Sequence, residues 1–393
     1  YAHSGDWRLG VHQIHSKKIV SEMRKLGMGM MRLPLLDPND QKSINYTLAT
    51  QMVDKYMARG FTYFDTAFMY HAGESEVFVR EAIVKRYPRE SYTVTDKMPA
   101  AEITTYDDLQ RVFDIQLART GLEYFDYYWF HAINKNYIEL LDRIDGWKFL
   151  KQLKDEGKAK HIGFSFHDDS ETLEHVLATH PEFEYLQLQI NYIDWNSPVE
   201  GRKCYEICEK YGKPVIVMEP VKGGSLANVP AEVEKMMKEM HPDMSPASWA
   251  IRYCASLPNV LTVLSGMSNM EQLDDNTSYM QNFQPLNEQE TDLISRVVDT
   301  ITKNIDIPCT ACHYCTGKCP QHIAIPQYFG LMNVIKQLGE SQFPNSRLYY
   351  NLLTKKHGKA SDCIQCGQCE AMCPQHLPII DNLVRVANKF EQK

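Results

Sequence analysis

Cys309, Cys312, Cys315 and Cys319, with Pro320 behind them, recur in the same spacing at Cys363, Cys366, Cys369 and Cys373, with Pro374 behind. Nothing else in the chain narrows its fold so far. Three thiolates two residues apart can wrap three corners of one iron–sulfur cube. The fourth, three residues further and followed by proline, is too far along to close that cube and serves another. The spacing therefore predicts two [4Fe–4S] clusters. One is held by Cys309, Cys312, Cys315 and Cys373, the other by Cys363, Cys366, Cys369 and Cys319. Zinc is the bland alternative, but structural zinc sites ordinarily show paired Cys-x2-Cys halves rather than unbroken four-cysteine runs.

Eleven cysteines in a short secreted chain would indicate disulfides. Here eight crowd into the two runs, and Cys204, Cys208 and Cys254 stand apart. Cys204 and Cys208, four apart on a predicted helix, read as buried thiols in preference to half a metal site. Residues 1–18 hold no apolar signal core or cleavage-type site, so clustered thiolates point to a reducing, cytoplasmic location. A formal charge of −8 argues against nucleic acid as a partner. The lack of an 18-residue apolar run argues against a membrane span.

The 393 residues exceed what one core usually holds. Eight β-like runs, at 28–31, 61–65, 92–97, 125–131, 161–164, 185–190, 215–218 and 260–264, alternate with amphipathic segments. Most are rich in β-branched and aromatic residues, as strands buried on both faces should be. Eight β/α units in about 250 residues is the arithmetic of a (β/α)8 TIM barrel. The rival, a doubly wound sheet, would open on Gly-x-Gly-x-x-Gly. Gly27–Met28–Gly29 lacks the third glycine and runs into Arg32–Leu33–Pro34. Asn287 to Glu290 reads as a capping box before Leu293, Ile294, Val297, Val298 and Ile301. The expected organisation is an extension (1–24), the α/β barrel (25–285), a linker helix (286–304) and a small, mainly α-helical, two-cluster domain (305–393).

Catalytic groups of such barrels sit at the C-terminal strand ends. Those ends offer Asp65, Tyr70 in the following loop, Lys97 and His131. Here the chain resembles the aldo/keto reductase family. Phe64–Asp65–Thr66–Ala67–Phe68–Met69–Tyr70 with Glu74–Ser75–Glu76 is similar to its signature. Thr95–Asp96–Lys97 and the run from Asp126 to His131 fall where that family carries its lysine and histidine. The run from Gly157 to Ser165 is similar to its next strand, and Ser265–Gly266 with Glu271 to Asn276 to its adenosine-side loop. The likeness covers about residues 25–285. The region from residue 305 resembles the helical ferredoxins appended to multi-domain oxidoreductases, with helix-like stretches at 327–338 and 346–356 between the runs.

The resemblance implies a carbonyl–alcohol oxidoreductase. Tyr70 would be general acid in reduction and general base in oxidation. A free phenol, with a pKa near ~10, donates poorly at neutral pH. Lys97 would raise its acidity, Asp65 would hold Lys97, and His131 would orient the carbonyl. The family also implies NAD(P)H. Ser165 and Gln189 match the positions that hold the carboxamide. The positions that usually offer cations to a 2′-phosphate are Gly266 and Gln272 here, with Asn276 closing the loop. Lys222, beside Gly223–Gly224, would contact the pyrophosphate instead. Phe68, His71, Tyr192 and Trp195 are expected to line the substrate pocket. Expected partners are a small carbonyl or alcohol and a ferredoxin or other one-electron carrier. Two further readings stay open: a ferredoxin-dependent reductase that uses no nicotinamide, and a non-enzymatic electron-transfer module on a degenerate barrel.

Overall fold

Eight parallel strands pair in chain order, and the first closes on the last. The computed structural model describes residues 24–197, 199–338 and 340–392. All but Arg24 of the expected N-terminal extension lies outside them. The strands are β1 (Leu26–Gly29), β2 (Tyr63–Asp65), β3 (Thr93–Pro99), β4 (Phe125–Ile133), β5 (Ala159–Phe166), β6 (Tyr185–Gln189), β7 (Val215–Met218) and β8 (Val260–Gly266). The first strand begins and ends two residues earlier than expected. Leu26 to Gly29 register against Val263 to Gly266, and Met30 to Arg32 then turn.

Large side chains fill the barrel: Tyr63, Tyr127, Trp129, Tyr185, Ile216, Leu261 and Leu264 pack together with little or no exposure. Gly163 is what lets Trp129 in. A Cβ there would lie 2.0 Å from the Tyr185 carbonyl oxygen and 2.5 Å from the indole ring. The isolated cysteines are core thiols. Burial raises Cys204 to about 12 and Cys208 well above its ordinary value, and Cys254 donates to the Ile190 carbonyl at 3.2 Å.

The chain divides into two compact units. The first holds the strands: the described residues up to Ile190, Glu200–Pro220 and Ile251–Pro285. The second is Asn191–Val199, Val221–Ala250 and Leu286–Lys393. Two segments of the expected barrel span, after β6 and after β7, the latter carrying helix Ala231–Met240, therefore count with the C-terminal region. The capping box forms: Asn287 and Glu290 exchange hydrogen bonds of 2.9 Å at the head of helix Glu288–Asn304. In the second unit, helices Ile325–Leu338, Phe343–Leu353 and Ile379–Phe390 share a core of Ile323, Tyr328, Phe329, Tyr350, Leu383, Val386 and Phe390. The last helix was not expected from the sequence. Its signal was Ile379, Leu383, Val386 and Phe390, at helical spacing on one face.

Candidate functional site

Asp65 closes β2, Lys97 lies in β3 and His131 in β4, so strand pairing alone brings the three together. Asp65 registers with Thr95, Lys97 with Trp129, and Pro99 with His131. Tyr70 arrives differently. It stands just before His71 and Ala72, both left-handed at φ 52° and 53°, a turn that side chains resist. The Lys97 ammonium donates to Asp65 Oδ1 at 2.6 Å, to the Thr66 carbonyl at 2.6 Å and to the Tyr70 hydroxyl at 3.4 Å. Lys97 has no exposed surface. The Tyr70 and His131 rings meet edge to face, with centroids 5.9 Å apart.

The electrostatics depart from the sequence reading in one respect. Burial, then Asp65, Glu219 and Asp96, push the resting phenol of Tyr70 well above its ordinary value. Burial is the largest cause, since a phenolate there would lose its hydration, and the Asp65 carboxylate, 2.6 Å from the ammonium, adds repulsion. Tyr70 therefore keeps its proton at rest. Burial, Lys97 and His167 hold His131 well below the usual imidazole range. The ring is neutral, and among the described residues its buried Nδ1 has no hydrogen-bond partner.

Behind Lys97 lies a layer to which sequence reasoning assigned no role. Glu76, fully buried, accepts from Arg119 at 2.9 Å and from Gln116 at 3.0 Å. Gln116 also donates to the Lys97 carbonyl at 2.9 Å and accepts from Tyr128 at 2.5 Å. Burial and Glu76 raise Asp96 well above the carboxylate range. The only hint in the sequence was Glu76 within the signature run. His71 does not serve as free pocket lining. Its Nε2 accepts from the Leu33 N–H at 3.3 Å and its Nδ1 faces the Gln41 carbonyl at 2.9 Å. Phe68 carries the Arg119 guanidinium over its ring at 4.4 Å, and Tyr192 and Trp195 belong to the second unit.

In that unit the eight thiols surround two pockets. Cys309, Cys312, Cys315 and Cys373 line one; Cys319, Cys363, Cys366 and Cys369 line the other. Matching positions of the two runs turn left-handed: Ala311 and Gln365, His313 and Gly367, His322 and His376. The repeat thus extends from spacing to backbone. Four sulfurs around one zinc would stand about 3.8 Å apart, given Zn–S of ~2.3 Å. Among the described residues no three such ligands converge on a single-ion site, and the thiols ring a cavity instead. That donor set and shape fit a cube.

Residues 25–299 match the aldo/keto reductase family and residues 308–377 match the 4Fe-4S dicluster domain. The chain belongs to the aldo/keto reductase family. It is 27% identical over 217 residues to Probable aldo-keto reductase 1 of Glycine max, covering 52% of this chain and 57% of that protein. The match thus spans little more than half of that relative. It is 24% identical over 260 residues to the uncharacterized oxidoreductase YqkF of Bacillus subtilis, covering 58% of this chain and 80% of that one. Among solved structures, the fold resembles the holo form of an aldo-keto reductase of Bacillus halodurans (TM-score 0.57, 21% identity, 70% of this chain, 91% of that one). It also resembles an aldo-keto reductase of Klebsiella pneumoniae in complex with NADPH (TM-score 0.55, 18% identity, 70% and 91%).

Of the positions that the aldo/keto reductase likeness marks for a nicotinamide, Ser165 and Gln189 are buried at or next to the ends of β5 and β6. Ser165 Oγ accepts from the Ala132 N–H at 2.7 Å. Gly266 ends β8. Gln272 accepts from the Ser268 N–H at 2.7 Å, and Asn276 donates to Ser265 Oγ at 2.9 Å. Arg32, which the sequence reading passed over, lies against Gly266: its Cβ, Cγ and Cδ stand 3.1–3.2 Å from where a Gly266 Cβ would be. Among the described residues no carboxylate pairs with Arg32 within 4.0 Å, whereas Lys55 and Arg59 are spent on Asp274 at 2.5 and 2.8 Å. Lys222 has other partners than the sequence reading gave it. Its ammonium donates to Asp194 at 2.6 Å and to Gln375 at 2.8 Å, all three residues being in the second unit. No helix among the described residues is long and apolar enough to cross a membrane.

Proposed function

We propose that this aldo/keto reductase interconverts a small carbonyl and its alcohol with Tyr70 as general acid/base, and that two [4Fe–4S] clusters link it to a one-electron carrier such as a ferredoxin. The observation that carries the reading is a buried ammonium 2.6 Å from Asp65 and 3.4 Å from a phenol that holds its proton. Bound NAD(P)H would supply a hydride, which with the Tyr70 proton completes the two-electron reduction; in a turnover without nicotinamide, bound clusters would instead supply the two electrons one at a time from the carrier. Ser165 and Gln189 would hold the carboxamide. Arg32 and the N-terminus of helix Met270–Met280, capped by Asn269, would hold phosphate through charge and backbone N–H groups. The carbonyl oxygen would accept from neutral His131 and from Tyr70.

During reduction, negative charge would grow on that oxygen. Tyr70 gives it a proton, and Lys97, held by Asp65, stabilises the phenolate left behind. The clustered thiols favour a reducing, cytoplasmic setting. Tyr70→Phe tests the assignment: carbonyl turnover with NADH or NADPH should fall by about 10²–10⁴, the range for a lost acid, with the visible cluster absorbance unchanged. Turnover that survives Tyr70→Phe would overturn it.

A further inference from the structure

Lys222 is a lysine that the proposed chemistry of the barrel does not use. Only 4% of its surface is exposed, and 1% of that of Asp194 beside it. Burying such a pair is costly unless the geometry is good and its remaining bonds are made. The geometry is good. Asp194 takes the ammonium at 2.6 Å on one oxygen and the Asn191 amide at 2.7 Å on the other. The backbone also carries strain here: Lys222 is left-handed at φ 49°, and Glu219, three residues earlier, at φ 57°.

The strained turn places the ammonium beside the first cysteine pocket. Lys222 donates to Gln375 Oε1 at 2.8 Å, and Gln375 lines the pocket with Cys309, Cys312, Cys315 and Cys373. The next residue, Gly223, presses on the same wall. A Cβ there would stand 2.6 Å from the carbonyl oxygen of Thr310, another lining residue. The second run has no equivalent. Gln321 occupies the place of Gln375, two residues beyond the fourth cysteine, yet among the described residues its side chain bonds no lysine. Cys366, on that pocket, is exposed to water, which screens charge.

We propose that Lys222 is a positioning residue for redox chemistry: held by Asp194 and Gln375, it raises the reduction potential of the cluster on Cys309, Cys312, Cys315 and Cys373. The inference rests on the reading that the thiols hold cubes. One added electron makes a cube more negative, and a fixed positive end in a low-dielectric wall stabilises that state. Asp194, paired with the ammonium at 2.6 Å, tempers the effect.

The test is an anaerobic redox titration of the full chain, followed by electron paramagnetic resonance, with iron content measured on each sample. Lys222→Met should lower the potential of one cluster and leave the other alone. The expected drop is at least tenfold in the reduced-to-oxidised ratio at fixed poise, or about 59 mV for a one-electron couple. Asp194→Asn, which leaves the ammonium uncompensated, should move the same cluster the opposite way. Lys222→Arg should keep it near the wild-type value. The proposal is overturned if Lys222→Met moves neither cluster or both equally, or if Asp194→Asn moves its target in the same direction. Loss of iron from Lys222→Met and Lys222→Arg alike would make the role structural, which also overturns it. A wild-type chain without iron would sink the proposal together with the cluster reading, whereas iron at an unmoved potential sinks the proposal alone.

Discussion

Each unit of this chain buries a lysine against an aspartate at 2.6 Å, and the two pairs differ in the third group they address. Lys97 and Asp65 sit on adjoining strands and face a phenol 3.4 Å away. Lys222 and Asp194 sit in loops, one of them strained, and face an amide on the wall of a thiol-lined pocket. A buried ammonium is therefore not a function in itself. The group within its reach decides whether its charge steadies a proton donor or an electron acceptor.

The largest expected effect comes from removing the first ammonium. Lys97→Met should cut kcat for carbonyl reduction by about 10³, within the range of a general acid that loses its support, while cluster potentials stay put. Lys222→Met should do the reverse, shifting one potential and sparing the phenol's chemistry. If either substitution reads out in the other's assay, the two pairs are not independent. Leaving Asp65 uncompensated should also cost about 3–5 kcal/mol of stability, visible as an earlier urea midpoint.

The thiol grouping sharpens the comparison. Cys373→Ser should take iron from about eight to about four atoms per chain and abolish the signal that Lys222 tunes. Cys319→Ser should lose as much iron but keep that signal. If Cys373→Ser instead spares it, Cys373 does not share a cube with Cys309, Cys312 and Cys315, and the Lys222 assignment moves with it.

The smallest effect concerns acid. Burial and Lys97 keep His131 well below its ordinary range in the folded chain, while the unfolded imidazole titrates near ~6.5. Below that pH the unfolded chain takes up a proton that the folded one refuses. Stability should then fall with pH by up to about 1.4 kcal/mol per unit from this residue. His71, which burial also holds low, adds in the same direction. Urea midpoints at pH 7.5 and 5.5 check the sign: equal midpoints would mean that the buried imidazole charges in place.

The barrel was legible because its strands are short runs of buried side chains, and alternation with helices shows in the order of residues. The tetrad was legible because three of its members end or occupy strands, where pairing leaves few alternatives. His71 looked like pocket lining next to Tyr70, but its backbone turns left-handed and the imidazole closes a loop on Leu33 and Gln41. Arg32 escaped notice because its relation to Gly266, 234 positions on, comes from the closing of β1 on β8. The layer of Glu76, Asp96 and Gln116 was hidden because helix–strand packing, and not spacing, brings Gln116 to Glu76 and to the Lys97 carbonyl.

By itself the sequence determined the chemistry available: eight thiols in two equal runs, a phenol, an ammonium, a carboxylate and an imidazole at strand ends. These are short-range facts, set by spacing and by the pleat of a strand. Only the tertiary structure decided which charge each group feels. Lys222 and Gln375 are 153 positions apart, and no local rule relates them. Their pairing follows from packing, which brings distant segments together and excludes the water that would otherwise screen them.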